Sequence, residues 1–491
     1  MLFNSFEFLF AFLPAMLLAF AVLRRLGSTR WVVAALLIGS LIFYGEGEWR
    51  FLILLVGSIA ANWLIGAWLL HEARATVRRR VLVSGVALNL GLLFLFKYLH
   101  FAAATLSSLA GTTLPPLQLA LPIGISFYTF QQIAYLVDLW RGAAAERDPL
   151  RYGLFVSFFP QLIAGPIVHH KELTGQLAGL SRRPFLSDLA VGLTIFTIGL
   201  AKKTLLADNM ALIASPVFNA AAMGEAPGLA AAWTAVMAYA LQIYFDFSAY
   251  SDMALGLARM FGIVLPFNFA SPYKATSIIE FWRRWHITLS RFLRDYLYIP
   301  LGGNRRGRMR QRVNLLLTML LGGIWHGAGW TFVLWGALHG GMLAVAHLWR
   351  ERRPGPGLPP SAAQALTLLA VVLAWVPFRA ADLAATGRVY AGLIGLNPSA
   401  GDLAVDPVFA LAALLAGWAI ALLAPNTQTL LRGHTPGLPS PGYATGFEGS
   451  DESRAAMAWH PGLAPAMALG GLLALSLLTL GQASEFIYFQ F

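Results

Sequence analysis

The chain has no cysteine in 491 residues. That excludes disulfides, thiolate metal sites, cysteine nucleophiles and sulfur-ligated clusters, whichever compartment its loops face. Thiol chemistry, if there is any, belongs to a ligand. Charge is scarce as well: Asp, Glu, Lys and Arg make up 12% of the residues, where a globular chain carries about 25%. Hydrophobic residues reach 58% and mean hydropathy is +0.65. So few charges cannot cover a water-exposed surface, and the composition reads as an integral membrane protein.

Acidic residues number 23 against 35 basic ones, a formal net charge of +12. In a soluble protein that excess would point to nucleic acid; here the positions of the charges decide. Apolar runs able to cross ~30 Å of hydrocarbon, about 20 helical residues, fall at 3–23, 31–44, 51–70, 81–99, 121–139, 186–207, 231–249, 331–349, 362–378, 405–424 and 463–481, with a shorter one at 313–325. They predict an all-α bundle with about twelve crossings. If the loop with Arg24, Arg25 and Arg30 is cytoplasmic, alternation puts 29 of the 35 Lys and Arg on that side, a strong positive-inside bias. Both termini then face outside. The basic excess serves orientation and membrane lipid, and no nucleic-acid partner is implied. The first run is no signal peptide, because its charges, Arg24 and Arg25, follow the apolar stretch.

Two stretches break the alternation. Leu154 to Val168 holds Pro160, Gly165 and Pro166, too short and broken to span, and is predicted to be re-entrant or interfacial. Ser271 to Arg312 alternates aromatic and cationic residues. It is predicted to lie on the surface, with Trp282, Trp285, Tyr296 and Tyr298 at headgroup depth and Arg283, Arg284, Arg291 and Arg294 toward phosphate or water. An ordinary lipid anchor would carry the same pattern.

Ionisable residues at membrane depth are the candidate functional groups. At ~1.5 Å per helical residue, His326 lies about 21 Å from the Arg312 end of its run and His339 about 17 Å from the Arg350 end, both inside the slab. Gly322, Gly323, Gly327 and Gly329 are expected to interrupt the helix around His326 and open a cavity there. An imidazole so placed can take a proton from a hydroxyl and return it to a leaving group. His339 reads equally well as a buried core histidine, and no ligand spacing near His326 argues for a metal. His71, His100, His169, His170, His434 and His460 sit in loops or span ends, and His286 in the surface element. Asp246 and Asp252, near the end of the 231–249 run, read as cap and ion-pair members. Lys202 and Lys203 read as snorkelling residues.

The strings FNSFEFLF (3–10), FFPQLIAGPI (158–167), YFDFSAYSDMALGLARMFG (244–262), EFWRRWHITLSRFLRDYLYIPLGGNRRG (280–307) and GIWHGAGWTFVLWGALHG (323–340) resemble the membrane-bound O-acyltransferase family, and the ending FIYFQF (486–491) is similar to its alginate-acetylating members. The resemblance spans the chain. It implies one domain over 1–491, with N-terminal helices at 1–150, a core at 151–350 and C-terminal helices at 351–491. The helices would surround a central funnel and tunnel. His326 would be the catalytic histidine and His339 its second. Trp282, Arg283, Arg284, Trp285, His286, Arg291 and Asp246 would bind substrate or donor, with Trp325 and Trp330 walling the site. No tightly bound cofactor is implied; acetyl-CoA or another acetyl thioester would be the donor. Periplasmic acetyltransferase or carrier proteins and polysaccharide machinery would be the partners, in a bacterial inner membrane. D-alanyl, peptidoglycan, lipid or protein acyl transfer are the alternatives within the family. A transporter is the alternative outside it, although the two halves show no paired broken helices.

Overall fold

The computed structural model describes residues 1–111, 119–182, 184–353, 357–398, 405–443, 459–480 and 486–487. Arg183, Arg454 and the last four residues of the closing FIYFQF string lie outside them. Regular structure among the described residues is helical, apart from one isolated bridge between Pro266 and Leu438. Among the described residues, six helices are long and apolar enough to cross a membrane: Phe8–Arg25, Trp49–His71, Ala75–Ala110, Phe185–Ala222, Trp330–Arg352 and Pro360–Arg379. Three apolar helices are shorter, Thr29–Gly45, Pro407–Leu423 and Leu463–Leu478. The protein is a membrane-embedded, multi-pass helical protein. Other apolar runs also form helices, but protein rather than lipid sets their character. Ile125–Trp140 is buried over most of its surface, and Leu229–Met260 carries Asp246, Asp252 and Arg259.

Two compact units make up the chain. The first comprises Met1–Thr197, Ser251–Pro266 and His434–Leu438. In it, the stretch expected to be re-entrant or interfacial lies in the protein interior, as helices Pro149–Ser157 and Phe159–Leu162. Residues 154–168 are buried throughout. Side chains satisfy the polar groups that the break exposes: Ser40 Oγ accepts from the Phe159 N–H at 3.1 Å, and Gln161 Nε2 donates to the Phe155 carbonyl at 2.7 Å. Without water to hydrogen-bond, such partners are obligatory. Small residues and amides join the neighbouring helices, as expected where lipid supplies no hydrophobic drive. Asn62 and Asn89 bond reciprocally. A Cβ on Gly192 or on Gly256 would each lie 2.6 Å from the other's carbonyl oxygen. Arg259, in the helix Leu229–Met260, binds Asp188 at 2.9 Å.

The second unit comprises Ile198–Tyr250, Phe267–Gly433 and Pro439–Phe491. The helix expected to end at residue 207 continues to Ala222, so the outer loop expected from 208 is largely helical. It passes through a π-helical turn, Lys202–Ala207, in which the Asp208 N–H bonds the Lys203 carbonyl. On a regular α-helix residues five apart point about 140° away from each other; the wider turn stacks Lys203 over Asp208. Lys203 does not snorkel. It is fully buried, 2.9 Å from Asp208 Oδ1 and 2.8 Å from Asp246 Oδ1. Asp246 Oδ2 accepts from the Ile487 N–H at 2.9 Å, and the Lys203 ammonium lies 4.6 Å from the centre of the Phe486 ring.

The predicted surface element is also corrected. It folds as two short helices, Ile278–Arg284 and Ile287–Leu293, and buries Trp282, Trp285, His286 and Arg291. Arg283 is exposed between them, and continuous exposure comes later, covering Arg305, Arg306, Arg308 and Arg310. Alternating aromatic and basic residues suited a lipid interface, but the reversal at Trp285–His286 turns the aromatic side into the core.

Candidate active site

Helices Arg308–His326 and Trp330–Arg352 form a hairpin with His326 at its turn. The arms pack backbone to backbone. A Cβ on Gly323 would collide with the Phe332 carbonyl, and one on Gly340 would sit 2.9 Å from Leu316 Cα. Gly322 and Gly323 therefore do not break the helix, as the sequence led us to expect. The break starts at Gly327, where any side chain would collide with the Phe332 ring.

His326 is 5% exposed and ringed by aromatics. Trp325, Trp335 and Phe378 present ring centroids at 5.0, 5.1 and 5.2 Å, each steeply inclined to the imidazole. The fourth neighbour is His286, with its centroid 6.2 Å away.

Local sequence explains how His286 arrives there. Ser277 Oγ accepts from the Glu280 N–H at 3.2 Å, capping the first short helix, and Glu280 binds Arg284 at 2.8 Å one turn on. The chain then reverses through His286, held in a left-handed conformation with φ 42° and ψ 54°. Backbone bonds tie the two sides of the reversal to the preceding segment: the Ala270 N–H donates to the Arg284 carbonyl and the Ile287 N–H to the Asn268 carbonyl, each at 2.9 Å. Phe247 packs edge-on against the ring at 4.7 Å. Burial pushes the His286 pKa down from 6.5 to about 3, so this imidazole is neutral near pH 7.

His339 stands one ring away from His326. Both pack on Trp335, His339 at 4.8 Å. Trp282 Nε1 donates to His339 Nδ1 at 3.3 Å, and since indole only donates, Nδ1 is the accepting nitrogen and the ring's N–H is at Nε2. Trp285 stacks on Phe281 at 5.6 Å and touches Trp375 at 4.9 Å. Of the predicted site residues, Trp325 and His286 adjoin His326, while Trp282 and His339 form the layer behind Trp335. The rest sit differently. Trp330 is 53% exposed, Arg283 is exposed, Arg284 is held by Glu280 and the Ala270 carbonyl, and Arg291 is buried with Nη1 3.4 Å from Ser440 Oγ. Asp246 belongs to the buried ion triplet with Lys203 and Asp208. Sequence reasoning missed Trp335, Phe378 and Asn268. Trp335 was findable, four residues before His339 and so on its helix face; the other two come from distant segments.

A buried histidine pair at the turn of a membrane hairpin, walled by aromatic rings, is the setting of an acyl-transfer enzyme. Residues 141–376, which contain this pair, match the model of the MBOAT, membrane-bound O-acyltransferase family. The "Probable alginate O-acetylase AlgI" of Pseudomonas syringae pv. tomato is 38% identical over the whole of both chains. The "Peptidoglycan O-acetyltransferase" of Helicobacter pylori is 42% identical over 81% of this chain and 80% of its own. A more distant relative, the "Teichoic acid D-alanyltransferase" of Streptococcus thermophilus, is 28% identical over 47% of this chain and 58% of its own. The chain belongs to the membrane-bound O-acyltransferase family. Its activity is O-acyl transfer.

Proposed function

We propose that the protein takes acetyl from a cytoplasmic thioester such as acetyl-CoA and passes it across the bacterial inner membrane for O-acetylation of an exopolysaccharide, alginate-like or cellulose-like. The observation that carries this reading is His326, buried among aromatic rings with a second imidazole 6.2 Å away, a separation that one hydroxyl or carbonyl oxygen can bridge. His326 takes the acceptor hydroxyl's proton as that oxygen attacks the thioester carbonyl. The carbon–sulfur bond breaks and the imidazolium returns the proton to the departing sulfur. Aromatic walls exclude the water that would hydrolyse the donor. His286 takes the assisting place first given to His339, which supports the aromatic wall from behind. The exposed arginines from Arg305 to Arg310 offer charge for the donor's phosphates.

The acetyl group and polysaccharide acceptor draw support from the Pseudomonas syringae relative, a "Probable alginate O-acetylase AlgI" that matches the chain from end to end. The Helicobacter pylori relative favours peptidoglycan as a second acceptor. Delivery would run through periplasmic acetyltransferase or carrier partners, with both termini periplasmic. The test is His326→Ala, made at membrane levels equal to the parent protein and followed by acetyl analysis of the polymer. Loss of acetylation supports the reading, and near-parental acetyl content overturns it.

A further inference from the structure

Asn268, Thr288 and His286 are each no more than 1% exposed, and their hydrogen bonds settle a question of protonation. Asn268 Oδ1 lies 3.3 Å from the Thr288 backbone nitrogen, 2.9 Å from the Thr288 hydroxyl and 3.1 Å from His286 Nδ1. A backbone N–H can only donate, so the amide atom facing it is the oxygen, and the usual doubt over amide orientation disappears. An oxygen in that position only accepts. His286 Nδ1 therefore carries the proton.

We propose that Asn268 is a positioning residue for acyl transfer: fixed by Thr288, it holds His286 in the Nδ1–H tautomer and so makes Nε2 the basic nitrogen of that ring. The inference rests on the proposed reading of the His326 centre. His286 then accepts a hydrogen bond at Nε2 from a substrate O–H other than the one whose proton His326 takes, and cannot donate from Nε2 until the ring is itself protonated. His339, whose Nδ1 accepts from Trp282, carries the opposite tautomer. The two rings are not interchangeable.

The test uses the full-length protein in membrane vesicles, with acetyl-CoA as donor and thiol release read across pH. Asn268→Leu removes the acceptor, and the rate should fall on the order of 10²-fold, the scale of one general base, with the KM for donor changed less than about threefold. Asn268→Asp keeps the acceptor and adds charge that stabilises the imidazolium. It should retain most of the rate and move the acidic limb of the pH profile upward by about one pH unit or more. Thr288→Val keeps the backbone N–H but loses the hydroxyl that helps to hold Asn268, and its rate should fall between the parent's and that of Asn268→Leu. Histidine-selective ¹⁵N spectra of the intact parent, with His286 assigned by loss of its signals in His286→Gln, should show protonated Nδ1 and bare Nε2. A parental pH profile in a folded Asn268→Asp protein, or bare Nδ1 in the spectra, overturns the proposal, the spectra deciding even if neither Asn268 variant folds. His326→Ala separates the two claims: if it is inactive while the Asn268 variants behave as the parent, only the positioning role fails. If it keeps full transfer, the reading beneath fails first.

Discussion

The buried ion triplet makes the sharpest stability prediction. Lys203 sits between Asp208 and Asp246, at 2.9 and 2.8 Å, and none of the three side chains is more than 9% exposed. Lys203→Met keeps most of the side chain's length but takes the ammonium away from both carboxylates. Breaking a buried pair by removing one partner costs about 3–5 kcal/mol, because the remaining charge keeps its desolvation penalty. The control sits next door. Lys202 is half-buried and bonds Thr427 Oγ1 at 3.1 Å, so Lys202→Met should cost less, about 1–2 kcal/mol. Asp246→Asn leaves Lys203 its Asp208 partner and should fall between the two. Detergent-purified protein is heated in steps, and the monodisperse fraction that survives is measured by size exclusion. A triple change of Lys203, Asp208 and Asp246 to apolar residues of similar size should recover part of the loss, since the penalty belongs to unpaired charge. A Lys203→Met protein that survives heating as well as Lys202→Met would refute the argument.

Two further outcomes follow from packing and burial. His170 is buried against Tyr135 and Phe155, and burial pushes its pKa down from 6.5 to about 4. Between these values the unfolded chain binds a proton that the folded ring refuses. This residue's contribution to stability is therefore full above pH 6.5 and falls toward pH 4, by at most about 3 kcal/mol. His170→Phe should flatten that part of the pH–stability curve, and thermal scans of both proteins from pH 7 to 4 check it. Gly336→Ala would drive a methyl into the Met319 carbonyl of the facing arm. It should cost about 1–3 kcal/mol and lower acyl transfer with it, whereas Gly341→Ala on the same helix meets open space and should leave both unchanged, as thermal scans and thiol release would show.

The membrane class and the His326 hairpin were legible in the sequence because each rests on a contiguous feature: apolar length, or a histidine between glycines. What failed was depth. The same alternation of Trp and Arg serves a lipid interface and a buried reversal, and only the contacts of Trp285 and His286 tell them apart. Lys203 read as snorkelling because a regular helix points it away from Asp208. The π turn that brings them together leaves no mark in composition or period. Phe378 and Asn268 reach the site from segments far along the chain, where no local pattern singles them out. The tautomer of His286 is further still from sequence, since it depends on which end of an amide faces a backbone N–H.

The left-handed backbone at His286 sets stability and chemistry against each other at one position. A residue with a Cβ costs about 1 kcal/mol or more in that conformation, and glycine would relieve it while deleting the ring. A search for more heat-resistant forms of this protein that scores survival alone will thus be drawn toward erasing one of the two imidazoles. Screens for robust variants need to count product as well as folded protein.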